Sequence, residues 1–216
     1  MRERSTTKEY LRKPGAGRPP KPARQVFEAV VYVLRTGCQW KTLPKERFGS
    51  ASAVHKRFLE WAAAGVFEAI WHGGLAEYDQ MEDIAWAWQS IDGAMFKAPR
   101  KRQWDPTRLI KEKKGSKRHL LVDGRGVPLS LVVSGANEHG VTQLDQVPSA
   151  IMVKRKDPNK KAQRWVVEVC HSWFNRFRKL LVQYEKLERS FVALNHLAAA
   201  IIASRKVKLT VNISYG

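Results

Sequence analysis

The sequence is poor in cysteine, in acidic residues and in long apolar runs. Cys38 and Cys170 are its two cysteines, with no CxxC spacing and no Cys/His cluster, which argues against a zinc site and against a disulfide framework. The longest wholly apolar run, Leu197–Ala203, is far too short to cross a membrane. Met1–Tyr10 is polar and lacks the apolar core of a signal peptide, so a cytoplasmic protein is expected. Asp plus Glu number 20 against 39 Lys plus Arg in 216 residues, a net charge of +19. That balance is too lopsided for an ordinary metabolic enzyme and points to a polyanionic partner. A membrane surface would call for a concentrated basic amphipathic helix, which is missing. Nucleic acid is the leading candidate.

The chain is long enough for two modest domains. Lys13–Pro22 is rich in Pro and Gly, cannot form a regular helix, and marks the chain up to it as a basic flexible arm, whose Arg12, Lys13, Arg18 and Lys21 suit nonspecific phosphate binding. Val26, Ala29, Val30, Val33 and Leu34 then recur at helical spacing, which predicts a helix over 23–36 with Gly37 as its C-cap. Val54, Phe58 and Trp61 outline a second helix to about Ala64, with Ser50 or Ser52 as N-cap. Phe67, Ile70, Trp71 and Leu75 outline a third that fades by Glu77. Three short helices on a basic chain suggest a helix-turn-helix module, and His55, Lys56 and Arg57 are candidates for its groove-facing side. The bland reading of those three is a solvated basic face.

From Met81 the pattern turns to short β-like runs, Ile84–Ile91, Arg118–Val122 and Val127–Val133. Asp123-Gly124-Arg125-Gly126 predicts a tight hairpin, because Asp and Gly tolerate positive φ. Gln143–Met152 reads as a short helix. Lys161 to about Ser204 reads as a long helical region, bent near Glu185–Ser190. Val207–Tyr215 could be a final strand or a tail.

Two acidic residues stand out. Asp92, placed before Gly93 at the end of a predicted strand, could offer a carboxylate to a metal ion, although one Asp-Gly is more often a plain turn. Glu168 lies on a predicted helix with Trp165, Val169, Ser172 and Trp173 on one flank and Arg164 one turn earlier. Taken alone, Arg164 and Glu168 are an exposed pair of little energetic weight.

Together with their surroundings these residues resemble a family. From Trp40 to Arg205 the chain is similar to bacterial insertion-sequence transposases of the DDE group, in insertion-sequence families four and five. The resemblance is carried by Gly37-Cys38-Gln39-Trp40 through Leu43-Pro44, the Val54–Trp61 helix and Ile91-Asp92-Gly93. It continues through Lys117-Arg118-His119-Leu120, Val122-Asp123, Gly126-Val127-Pro128-Leu129 and Ser134-Gly135-Ala136-Asn137. Arg164-Trp165-Val166-Val167-Glu168 and His171 to Arg178 complete it. The resemblance implies an RNase-H-like domain over 81–216, incomplete here, which with the basic arm over 1–22 and the helix-turn-helix-like helices over 23–80 makes an α/β fold. It implies that two aspartates and a glutamate hold two Mg²⁺ ions for DNA strand cleavage and transfer, Asp92 being the first ligand and Glu168 the last. Arg176 or Arg178 would match a basic residue that holds DNA phosphate, and Arg164 the arginine before the glutamate. Double-stranded DNA, the terminal inverted repeats of the element and a homodimer are the implied partners.

The match has one break. Between the helix near Leu144 and that of Glu168 an RNase-H-like sheet needs a strand, a helix and a strand, roughly 35 to 40 residues. Val153–Ala162 supplies ten, mostly polar, so the fourth-strand region with its aspartate is expected to be missing. Asp123 in the hairpin turn, Asp145 on a helix surface and Asp157 in a basic linker are poor substitutes. Val169 after Glu168 and Gly140 after His139 also depart from the family pattern. Two functions follow as expectations: a transposase impaired in cleavage, or an internally deleted, catalytically inactive chain that binds DNA. An RNA-associated protein ranks lower, for want of an RNA-binding motif.

Overall fold

In a computed structural model the described residues are 21–82, 84–85, 89–97, 115–135 and 164–206. The predicted helix over Gln143–Met152, the arm before Lys21, Asp145, Asp157 and Val207–Tyr215 lie outside them.

Helix α1, Ala23–Thr36, forms where the apolar period placed it, and all five predicted residues, Val26, Ala29, Val30, Val33 and Leu34, are buried. Gly37 ends it in the left-handed conformation, φ 71°, its N–H donating to Val33 O at 2.9 Å. A 3₁₀ turn, Trp40–Thr42, and a one-turn helix α2, Lys45–Phe48, lead to α3, Ala51–Ala63. Val54, Phe58 and Trp61 are its buried stripe. Ser50 occupies the N-cap position of α3 without a capping hydrogen bond. The next helix, α4, Val66–Glu82, runs past the predicted end at Glu77 because Tyr78 continues the buried row of Phe67, Trp71 and Leu75, whereas Ile70 is exposed.

The sheet has three antiparallel strands in the order β1, Gln89–Lys97, β2, Gly115–Asp123, and β3, Pro128–Gly135. Predicted strand 84–91 is thus shifted: β1 runs through Asp92 and Gly93 to Lys97, held by full pairing with β2 from Gln89↔Asp123 to Lys97↔Gly115. The hairpin forms as expected, with the positive φ taken by Gly126 (81°). On its other edge β1 has a parallel bridge, Lys97↔Val182.

The long C-terminal helical region is two helices, α5, Arg164–Asn175, and α6, Glu188–Ser204, separated by a 3₁₀ turn at Arg178–Leu180 and an extended stretch. On α5 the buried face is Val166, Val167, Cys170, His171 and Phe174, one position round from the predicted flank, and Trp165 is 62% exposed. Helix α6 is nearly all Ala, Leu, Ile and Phe on its buried sides and packs along α4. One continuous apolar core joins α1, α3, α4, the sheet, α5 and α6. At about 25 cal/mol per Å², burial on this scale is the main stabilising term.

Candidate functional site

Side chains directly opposite across a sheet share a face. Asp92 lies opposite Leu120, itself opposite Leu131, and both leucines are buried. Phe96, two alternations along β1, meets Phe191 of α6 with ring centroids 4.9 Å apart. Asp92 therefore sits mid-strand on the helix-covered face, partly buried, not at a strand end. Helix α5 packs against β1 and β2. Its Glu168 is exposed, and Arg164 opens the helix. Among the described residues no three His, Cys, Asp or Glu side chains gather as a metal site. Asp123 in particular is committed elsewhere: fully buried, it accepts the Tyr78 hydroxyl, the N–H of Ala85 and those of Arg125 and Val127.

Three buried groups carry the electrostatics of this face. His171, one turn after Glu168, is 7% exposed and lies against the backbone of Asp92. Burial pushes its pKa down to about 4, helped by the Arg118 charge, and nearby Asp92 offsets this only in part. Arg118 on β2 is 2% exposed, its guanidinium 4.3 Å from the Phe174 ring centroid and donating to Asn195 Oδ1 at 3.4 Å. Burial lowers its pKa to about 10, which leaves it charged at neutral pH. Burial raises Cys170 to about 12, so it stays an inert thiol. On the opposite face Gly93 admits the His119 ring; a Cβ there would lie 2.8 Å from Nδ1.

The basic candidates divide. Lys56 is exposed on α3. His55 points inward, its ring 4.9 Å from that of Trp40, and burial lowers its pKa. Arg57 pairs with Glu60 at 3.2 Å and lies over Trp61. Arg176 and Arg178 are exposed at the end of α5 and in the turn that follows. Lys21 lies across Gly49, where any Cβ would collide with its ammonium; Arg18 is outside the described residues.

Sequence reasoning did not assign roles to Trp40, Lys179 and Glu185. Trp40 Nε1 donates to Glu185 Oε1 at 3.1 Å, and Lys179 Nζ lies 3.2 Å from the same oxygen, with side chains 6% and 9% exposed for Lys179 and Glu185. Trp40 belongs to the quoted Gly37–Trp40 motif, but nothing local signals a partner 145 residues away.

The described chain is a mixed structure of helices and a small antiparallel sheet, and two family matches lie on it. Residues 114–205 match the family described as "Transposase DDE domain", and residues 5–71 the family "Putative transposase of IS4/5 family". By these two matches the chain is similar to insertion-sequence transposases, those of the IS4/5 group among them. It is 30% identical over 88 residues to "Insertion element IS402 uncharacterized 16.2 kDa protein" of Burkholderia cepacia, covering 40% of this chain and 60% of that one. It is 26% identical over 115 residues to "Putative transposase for insertion sequence element IS402" of the same organism, covering 33% of this chain and 54% of that one. The matches thus span little more than half the length of these relatives. No solved structure matches.

Proposed function

We propose that this protein binds DNA as an insertion-sequence transposase does, and that it holds its DNA without cutting it. The arm and the α1–α4 helices act as a helix-turn-helix-like module on duplex DNA, the terminal inverted repeats of an element being the natural target. The three-stranded meander under α5 serves as the first part of an RNase-H-like sheet, with Asp92 and Glu168 the surviving members of a carboxylate set that in such enzymes holds Mg²⁺. Mg²⁺ takes hard oxygen ligands and, as a pair of ions, activates the attacking oxygen and stabilises the leaving one. Two carboxylates among the described residues do not make that site.

One observation carries the reading. The match to the IS402 transposase runs over 115 positions but draws on 33% of this 216-residue chain. A third of this chain is far fewer residues than that. The match therefore includes positions of the relative that have no counterpart in this chain, and a missing fourth-strand region before the Glu168 helix would account for them.

The test is strand cleavage of duplexes bearing inverted repeats, with Mg²⁺ or Mn²⁺, beside a binding measurement on the same DNA. Binding without nicking is expected. Nicking lost in Glu168→Gln would establish the alternative, an active transposase.

A further inference from the structure

Three stretches far apart in the chain meet at one corner. Gly37, at the end of α1, is pressed so close to Arg178 that a Cβ on it would lie 2.8 Å from Arg178 Cβ and 3.0 Å from the main-chain carbonyl carbon. Behind this contact Trp40, Glu185 and Lys179 form the buried cluster described above, and Lys179 Nζ also reaches Cys38 O at 3.5 Å. The Trp40 ring stacks on Phe58, centroids 4.8 Å apart, which ties α3 to the same point. The cluster is a latch: it fixes the helical module to the turn that leaves α5.

Outside the latch the surface is basic. Arg35 in the last turn of α1, Lys41 beside Trp40, and Arg178 are all exposed, and none has an ion-pair partner among the described residues. Lys56 follows the His55 that packs under Trp40, and Arg176 follows the last residue of α5. Lys56 on α3 and Arg176 after α5 are exposed as well. Isolated surface cations serve solubility. Here the nearby Glu185 is buried and occupied by Lys179, so these charges stay unneutralised on a chain of net charge +19.

We propose that this corner is a DNA-backbone site, in which Arg35, Lys41 and Arg178 hold successive phosphates between α3 and α5 at a spacing set by the Trp40–Glu185–Lys179 latch. Two arginines and a lysine suit phosphate, since guanidinium forks and an ammonium both donate to its oxygens. The inference rests on the DNA-binding reading above.

The test uses the full chain and a duplex of random sequence, with affinity measured by fluorescence anisotropy over a range of salt. Lys41→Ala/Arg178→Ala is compared with the charge-matched Arg189→Ala/Arg205→Ala. Each lost phosphate contact lowers the slope of log affinity against log salt by about 0.9, so the corner pair should lower it by about 1.8 and the control pair should leave it unchanged. Equal slopes for the two pairs would overturn the site. Glu185→Gln gives an opposite-signed check. It makes the chain more positive, which strengthens purely electrostatic binding, whereas loss of the latch should weaken binding severalfold. Trp40→Phe, which keeps the ring and loses the Nε1–H donor, should weaken binding in the same way with an unchanged circular dichroism spectrum. Stronger binding by Glu185→Gln, or unchanged binding by Trp40→Phe, would overturn the latch. If the unmodified chain fails to bind DNA, the broader DNA-binding reading fails; if it binds and the two pairs behave alike, only the corner fails.

Discussion

The Tyr78 hydroxyl donates to Asp123 Oδ2 at 3.1 Å, joining α4 to the β2–β3 hairpin across 45 residues. Oδ1 of the same carboxylate accepts from Val127 N–H at 2.8 Å and Arg125 N–H at 3.0 Å, and Oδ2 also accepts from Ala85 N–H at 3.3 Å. An amide offers one accepting oxygen where the carboxylate offers two. Asp123→Asn should therefore cost about 2 to 4 kcal/mol in urea unfolding, while Asp123→Glu, which keeps both oxygens on a longer stem, should fail to restore the loss.

The same pair sets an alkaline limit. Burial first, and then the Asp123 charge, push Tyr78 from its ordinary value of 10.0 up to about 12. The neutral hydroxyl is favoured in the folded state, so its contribution is present below pH 10 and is lost as pH rises from there to about 12. Unfolding free energy followed over that interval should fall by on the order of 2 kcal/mol, and Tyr78→Phe should flatten the decline.

Gly37 and Gly65 share nearly the same positive φ, 71° and 70°, yet differ in surroundings. A Cβ at Gly65 meets nothing nearer than Glu68 Oε2 at 3.9 Å, whereas at Gly37 it strikes Arg178. Gly65→Ala should cost about 1 kcal/mol from backbone strain alone. Gly37→Ala should cost more, about 2 to 3 kcal/mol, because main-chain atoms of Arg178 would also have to move. Equal losses in thermal unfolding would mean that the Gly37–Arg178 contact contributes nothing.

Lys179 and Glu185 are buried together, so removing one charge should hurt more than removing both. Lys179→Met should lose about 3 to 5 kcal/mol by leaving the Glu185 carboxylate without its cation, and Lys179→Met/Glu185→Leu should recover much of that. Denaturant unfolding of the two variants decides it.

Local features were legible in the sequence because local physics determines them. The buried stripe of α1, its Gly37 cap, the Val54–Phe58–Trp61 face and the Asp123–Gly126 turn all follow from spacing or from turn chemistry. The extent of β1 did not, since Asp92 and Gly93 read as a strand end but are held mid-strand by pairing with Leu120 and His119. The buried face of α5 was not legible because its apolar residues admit two stripes: Trp165 with Val169 and Trp173 is one, but the core takes Val166, Cys170 and Phe174. For the candidate site, Asp92 and Glu168 were found by resemblance to a family. His171 and Arg118 were inside the matched text but carried no spacing signal of their own. The Trp40–Glu185 contact, like any pairing across 145 residues, depends on tertiary packing that no local pattern encodes.

Binding without cutting is tested most directly by incubating the full chain with inverted-repeat duplexes and Mn²⁺, and reading complex formation and nicks from the same samples. A salt-sensitive complex whose strands stay intact, with the same outcome for Glu168→Gln, is the predicted result. Nicks made by the unmodified chain and absent with Glu168→Gln would contradict it, and would mean that Glu168 still works in a complete site.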